Sequence, residues 1–147
     1  PSGKIGLLNK SDNLFKNFSK QIMKKKPTLK IYGGDYNTKD GSCIRDFIHV
    51  SDIAEIHYKV LNQIDKTKKS KVLNCGYNKG NSVLDVAKEF KRQSSKKVKI
   101  LFIKRRKGDL VKIIASNKKL MKFIKWRPKY NKLSKIVQSC LNWEKRQ

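Results

Sequence analysis

Short runs rich in β-branched and aromatic residues alternate along the chain with longer runs whose apolar positions recur every three or four residues. The first period is that of a strand and the second that of a helix, and their alternation predicts an α/β fold. Leu14, Phe15, Phe18, Ile22 and Met23 mark a helix over 13–26, with Ser11 or Asp12 as its N-cap and Pro27 as its stop. Leu29–Tyr32 reads as a strand, 33–41 as a turn-rich loop, and 43–50 as a second strand. Ser51 is placed to cap a helix whose buried stripe is Ile53, Ile56, His57, Val60, Leu61 and Ile64. A strand at Lys71–Cys75 is followed by a helix opened by a capping box, Ser82 with Asp85, and carrying Val83, Val86, Ala87 and Phe90. Then come a strand over 98–103, a short helix through Leu120, Phe123 and Ile124, and a last helix from Leu133 to Trp143. No repeat and no linker divides the chain, so one domain over 1–147 is expected.

A chain of 147 residues buries roughly 68–70% of its extended surface on folding, enough for a core without disulfides or a structural metal. Cys43, Cys75 and Cys140 are odd in number and widely spaced, which fits small core residues better than a disulfide framework or a zinc site. No apolar run is long enough to span a bilayer, and the start, Pro1-Ser2-Gly3-Lys4, resembles neither a signal peptide nor an initiator Met. A soluble, intracellular, truncated chain is expected.

The formal charge of +26 raises nucleic acid as a partner, since each neutralised phosphate releases counterions. Of the 37 basic residues, however, six are Arg and the rest are Lys distributed through every segment. A reader of bases favours Arg forks and interleaved aromatics. The runs 24–26 and 66–71 look like helix ends, where cations complement the dipole, so a solvated surface is the simpler reading.

Self-contained catalytic equipment is missing. The sequence has no glycine-rich dinucleotide loop, P-loop, HExxH or GxSxG, and none of the five tyrosines is followed four residues later by Lys. His49 and His57 read as structural histidines. What remains suits anion binding: Arg105-Arg106-Lys107-Gly108-Asp109 follows a strand, and Arg45 lies in another strand-like segment. Arginine forks grip phosphate oxygens with paired charge-assisted bonds; surface ion pairing explains the pattern equally well from these residues alone.

The run from Ile31 to Ala54, which reads IYGGDYNTKDGSCIRDFIHVSDIA, resembles the YGxDYxTxDGTxxRDYIHVxDLA signature of UDP-glucose 4-epimerases. Leu73 to Val83 is similar to the family's NLGxGxGxSV segment, Arg105–Asp109 to its RRxGD, and Trp126–Tyr130 to its WxPxY element. The resemblance covers nearly the whole chain. It implies the C-terminal substrate-binding part of an extended short-chain dehydrogenase/reductase, an NAD-binding Rossmann fold protein whose N-terminal Rossmann core, with the Tyr-x-x-x-Lys pair, is missing here. The intact family enzyme interconverts UDP-glucose and UDP-galactose by NAD-mediated oxidation and re-reduction at sugar C4. NAD is then bound mainly by the missing domain, and this chain carries no catalytic residue and no metal.

Carried over by matching position, Asn13, Lys30, Ile31, Tyr32, Arg45, Arg106 and Asp109 are the substrate-binding residues. Asn13 corresponds to a diphosphate contact, and Lys30, Ile31 and Tyr32 to the strand bordering the uracil. Arg45 and Arg106 correspond to the pyrophosphate arginines, and Asp109 to the acid near the ribose. Phe47 stands where the family more often has Tyr, and Ser116-Asn117 where it often has Asp before a small residue. The resemblance further implies a UDP-sugar partner, a cytoplasmic homodimer at full length, no membrane and no specific nucleic acid. The alternatives are an epimerase acting on UDP-N-acetylglucosamine or a UDP-pentose, and, from another class, a small basic nucleic-acid-binding module.

Overall fold

Asn13 opens the first helix: its side chain accepts the Lys16 N–H at 3.1 Å and satisfies a donor that the helix itself leaves free. The computed structural model describes residue 6, residues 13–67 and residues 69–147. The expected caps Ser11 and Asp12 lie outside them, and Asn13 is the cap. Helix α1 spans Leu14–Met23 and presents Phe15, Phe18 and Ile22 inward. Its C-terminal end is closed from a distance, because the Lys96 ammonium donates to the carbonyls of Ile22, Met23 and Lys24 at 3.0, 2.8 and 3.0 Å. A cation on those free carbonyls also complements the negative end of the helix dipole.

Strand β1, Thr28–Tyr32, pairs in parallel with β4, Lys99–Ile103, from Thr28↔Lys99 to Tyr32↔Ile103. A second sheet has β2, Ile44–Arg45, between β3, Asn81–Ser82, which is antiparallel to it, and β5, Lys112–Ile113, which is parallel. Helices α2 (Val50–Thr67), α3 (Val83–Gln93), α4 (Lys118–Phe123) and α5 (Leu133–Glu144) complete the chain. The α/β class read from the alternation is present, with the strand partners supplied from distant parts of the chain.

Two cores result. The larger joins α1, β1, α3 and α5 through Phe18, Leu29, Ile31, Val86, Phe90 and Val137. Phe18 and Phe90 meet edge to face, with centroids 5.7 Å apart, a geometry contributing about 0.5–1.5 kcal/mol beyond area burial. The buried Lys16–Glu144 ion pair, 3.0 Å long and joined by the Ser19 hydroxyl, ties α1 to α5. The smaller core gathers Ile56, Leu120, Ile124 and Trp126 between α2 and α4.

Four expectations are corrected. The segment 43–50 is a strand only at Ile44–Arg45, because side chains then take over the backbone partners: the His49 N–H donates to the Tyr77 hydroxyl at 3.1 Å. His49 itself, not Ser51, caps α2, its Nδ1 accepting the Ser51 N–H at 3.0 Å. Lys71–Cys75 forms no strand with any described residue. His57 is exposed, as is Leu61, so only part of the expected α2 stripe is buried. The capping box at Ser82 and Asp85 is present as expected, with both of its hydrogen bonds.

Candidate functional site

Alternation along β1 separates its two faces: Leu29 and Ile31 enter the core, and Thr28, Lys30 and Tyr32 point away from it. On α1, Leu14, Asn17, Phe18 and Gln21 recur at helical spacing and, with Lys24 at its C-cap, face the same space. Between them lies a cavity of about 420 Å³, closed further by Cys43, Arg45, Phe47, Val83, Arg106 and Asp109. This volume falls within the range of small-molecule sites, about 300–1,000 Å³.

Arg45 and Arg106, more than sixty positions apart in the sequence, meet there. Arg45 Nη2 lies 3.7 Å from Asp109 Oδ1, and Arg106 Nε lies 3.7 Å from Asp109 Oδ2, so one carboxylate bridges both guanidinium groups. Arg45 is steadied by donating from Nη1 to the carbonyl of Ile44 at 2.9 Å. The Arg106 guanidinium stacks on the Tyr32 ring at 4.2 Å, which holds its plane. With Lys24 and Lys30, four cationic side chains line the cavity against the single acid Asp109. The arrangement is chemically an anion receptor with a nearby hydroxyl acceptor.

The two adjacent arginines divide their work. Arg105 turns the other way, donating from Nε to Asp35 Oδ1 at 2.6 Å and lying 4.1 Å over the Tyr36 ring. This pairing holds the Asp35 carboxyl below its ordinary pKa. Surface ion pairing therefore accounts for Arg105, and the cavity for Arg106. The loop carrying Asp35 and Tyr36 closes only because Gly41, at φ +77°, brings its α-carbon against the Gly34 carbonyl; a Cβ there would come within 2.1 Å of that oxygen.

A buried network holds the connection from β2 to α2. Asp52, fully buried, accepts the N–H groups of Lys129 and Tyr130 at 3.1 and 3.0 Å and the Tyr77 hydroxyl at 2.5 Å. Asp46 accepts the N–H groups of Tyr77 and Asn78 at 3.1 and 2.9 Å, so it anchors a loop and is not the partner of its neighbour Arg45. Burial disfavours the His49 imidazolium and outweighs the pull of Asp52, which leaves the His49 pKa below the ordinary value. Burial, aided by the bond to Asp52, raises the Tyr77 phenol. Burial pushes the Cys140 thiol up to about 11 and raises that of Cys75, so neither is an activated nucleophile.

Of the sequence-derived site residues, Lys30, Tyr32, Arg45, Arg106 and Asp109 line the one cavity. Ile31 does not: its side chain is buried in the core, leaving only its backbone for a ligand. Asn13 caps α1 beside the cavity, whose wall is formed by Leu14 and Asn17. Sequence reasoning missed Asn17, Gln21 and Lys24, which the helical spacing from Leu14 already aligned, and Cys43 and Val83, which carry no such signal.

The residues present do not make a dinucleotide site. The strand-to-helix turns before α2 and α3 contain no glycine-rich dinucleotide loop. Among the described residues no cluster of His, Cys, Asp or Glu suits a metal ion, and no helix is long and apolar enough to cross a membrane.

Residues 5–76 match the NAD dependent epimerase/dehydratase family. The chain is 36% identical over 146 residues to the UDP-glucose 4-epimerase of Azospirillum brasilense, covering 99% of this chain and 42% of that protein. It is 37% identical over 147 residues to that of Dictyostelium discoideum, covering 98% and 42%. Among solved structures, UDP-glucose-4-epimerase from Stenotrophomonas maltophila, with bound NAD and formylated UDP-arabinopyranose, superposes with a TM-score of 0.91 at 27% identity, covering 99% of this chain and 44% of that one. The UDP-Glc/GlcNAc 4-epimerase of Campylobacter jejuni superposes at 0.82 with 38% identity, covering 96% and 43%. The chain thus spans well under half the length of these relatives.

Proposed function

We propose, taking the chain's homology with the UDP-glucose 4-epimerases as the premise, that it is the nucleotide-sugar-binding portion of such an enzyme, occupying 1–147 as its C-terminal region. The observation that carries this reading is the convergence of Arg45 and Arg106 on Asp109 in one cavity of suitable volume. A diphosphate carries negative oxygens on two phosphorus atoms, and two arginine forks approaching from different segments match it where one would not. In this reading Asp109 orients both guanidinium groups and accepts a ribose hydroxyl, and the β1 backbone at Lys30, Ile31 and Tyr32 borders the base. Asn13 contributes at the diphosphate end of α1.

The whole protein would interconvert UDP-glucose and UDP-galactose at sugar C4. NAD, held by a domain N-terminal to these residues, would take up the C4 hydride and return it, which would account for the lack of a dinucleotide loop here. The residues present bind and orient substrate and perform no chemical step. The reading extends to a cytoplasmic homodimer assembled through surfaces outside this chain, with no specific nucleic-acid partner. A second reading, an epimerase of UDP-N-acetylglucosamine as well as UDP-glucose, is favoured by the 38% identity with the Campylobacter jejuni UDP-Glc/GlcNAc 4-epimerase, whose name covers both sugars.

UDP binding to the purified chain, measured by calorimetry, tests the proposal. Arg45→Ala and Arg106→Ala should each weaken it about 10- to 100-fold, the equivalent of one charged hydrogen-bonding group at about 1.5–3 kcal/mol. Arg105→Ala should leave it nearly unchanged. Equal effects from all three would assign the interaction to general charge and overturn the proposal.

A further inference from the structure

Cys43 and Arg45 stand two positions apart at the start of β2, so extended backbone turns both side chains to the same face, and both line the anion cavity. The other two cysteines are placed differently: Cys75 packs against the smaller core and Cys140 against the larger, and neither lines the cavity. Cys43 is 4% exposed, so a small reagent reaches its sulfur only by way of the cavity. The wall it shares with Arg45 and Arg106 is strongly cationic, the setting in which reactive thiols are found.

Behind this sulfur stands a phenol with nothing to bond. The loop after β1 folds Tyr36 back on itself, its N–H donating to the Gly41 carbonyl at 2.9 Å. Its ring lies under the Arg105 guanidinium and against the α-carbon of Gly33, and its hydroxyl is thereby set beside the Cys43 thiol. Tyr36 is 6% exposed, and its hydroxyl has no hydrogen-bond partner. Sulfur is too weak an acceptor to satisfy a buried O–H. Buried polar groups are nearly always paired, so an orphaned donor beside a thiol is a place prepared for an acceptor oxygen.

We propose that Cys43 is an oxidative modification site, converted by hydrogen peroxide to a sulfenic acid whose oxygen accepts the Tyr36 O–H. The sulfur of the deprotonated thiol attacks one peroxide oxygen, an S–O bond forms and the O–O bond breaks, and the departing hydroxide takes a proton and leaves as water. Sulfur is oxidised by two electrons and the peroxide is reduced by two. Ionised, the product offers Arg45 and Arg106 an internal anion in competition with a diphosphate. No second cysteine lines the cavity to trap the product as an internal disulfide, so an external thiol restores the sulfhydryl. The effect on UDP rests on the proposed function; the oxidation itself does not.

The test treats the purified full chain with hydrogen peroxide, traps sulfenic acid with dimedone and maps the adduct by peptide mass. The adduct on Cys43 should exceed that on Cys75 or Cys140 by about tenfold, and saturating UDP should slow its formation about fivefold. Tyr36 does not line the cavity, so Tyr36→Phe should cut the Cys43 adduct about threefold while the unoxidised variant binds UDP as before. Without dimedone, peroxide should weaken UDP binding about tenfold in calorimetry, and dithiothreitol should restore it. Cys43→Ser should remove the peroxide dependence, whatever its starting affinity. Equal labelling of the three cysteines, a Cys43 adduct indifferent to Tyr36→Phe, or UDP binding unchanged with Cys43 oxidised would each overturn the inference. An unoxidised chain that does not bind UDP fails the proposed function instead, and the Cys43 adduct with and without the Tyr36 hydroxyl then still decides the modification site.

Discussion

Histidine 49 illustrates how one residue serves several contacts and thereby acquires a pH dependence. Its Nδ1 accepts the Ser51 N–H, so that nitrogen carries no proton, and Nε2 lies 3.0 Å from the Ser139 hydroxyl. Protonation of Nδ1 would break the cap of α2. Because the folded pKa lies below the ordinary value, stability is complete above about pH 6.5 and declines as pH falls from there toward the folded value. Thermal melts between pH 7.5 and 5 should show this decline, and His49→Asn, a capping residue that does not titrate, should flatten it. A wild-type midpoint that stays constant across the range would refute the role. Sequence reading classed His49 as structural, which its contacts bear out, but placed His57 on a buried stripe. The difference is that His57 donates from Nδ1 to the Ile53 carbonyl one turn back, 2.8 Å away, a contact any exposed helical histidine can make. Likewise, the pattern of residues 105–109 marked an anion-binding element without telling which arginine pairs with Asp35 and which enters the cavity.

Among elements, α1 links stability to the site, since one side of it builds the main core and another walls the cavity. Its position relative to α5 depends on the Lys16–Glu144 pair, whose side chains are 6 and 7% exposed. Lys16→Met leaves an uncompensated buried carboxylate and should cost about 3–5 kcal/mol in urea unfolding. Adding Glu144→Leu removes that charge as well and should restore most of the loss. If the double variant is no more stable than Lys16→Met, packing at α5 and not the buried charge sets the cost. Neither residue stood out in the sequence, because a lysine among many and a lone glutamate 128 positions away share no local pattern. By contrast, the capping box of α3, the stop before Pro27 and the β1 alternation were legible, since caps and periodicity act within one or two turns. The strand expected at 71–75 failed for the opposite reason: propensity is local, but a ladder needs a neighbour, and no described residue provides one.

For the molecule as a whole, the charge of +26 creates a field that attracts any polyanion, whatever the purpose of the cavity. Nonspecific nucleic-acid binding through six or more phosphates should fall by about 10³-fold or more between 50 and 200 mM salt, whereas binding of a single diphosphate should fall far less. Titrations of a random-sequence DNA duplex and of UDP across that range separate the two. A parallel, steep loss for both would return nucleic acid to first place. What the amino-acid order determined alone was the set of periodic helices and strands, their caps, and the motif residues that carry the family resemblance, all of them consequences of interactions over a few positions. The tertiary structure decided which of those residues meet. Bringing Arg45, Arg106 and Asp109 to one cavity, burying Asp52 under three donors and turning Ile31 into the core require distant segments to pack together, and that choice is made by side-chain volume and hydrogen-bond satisfaction across the fold.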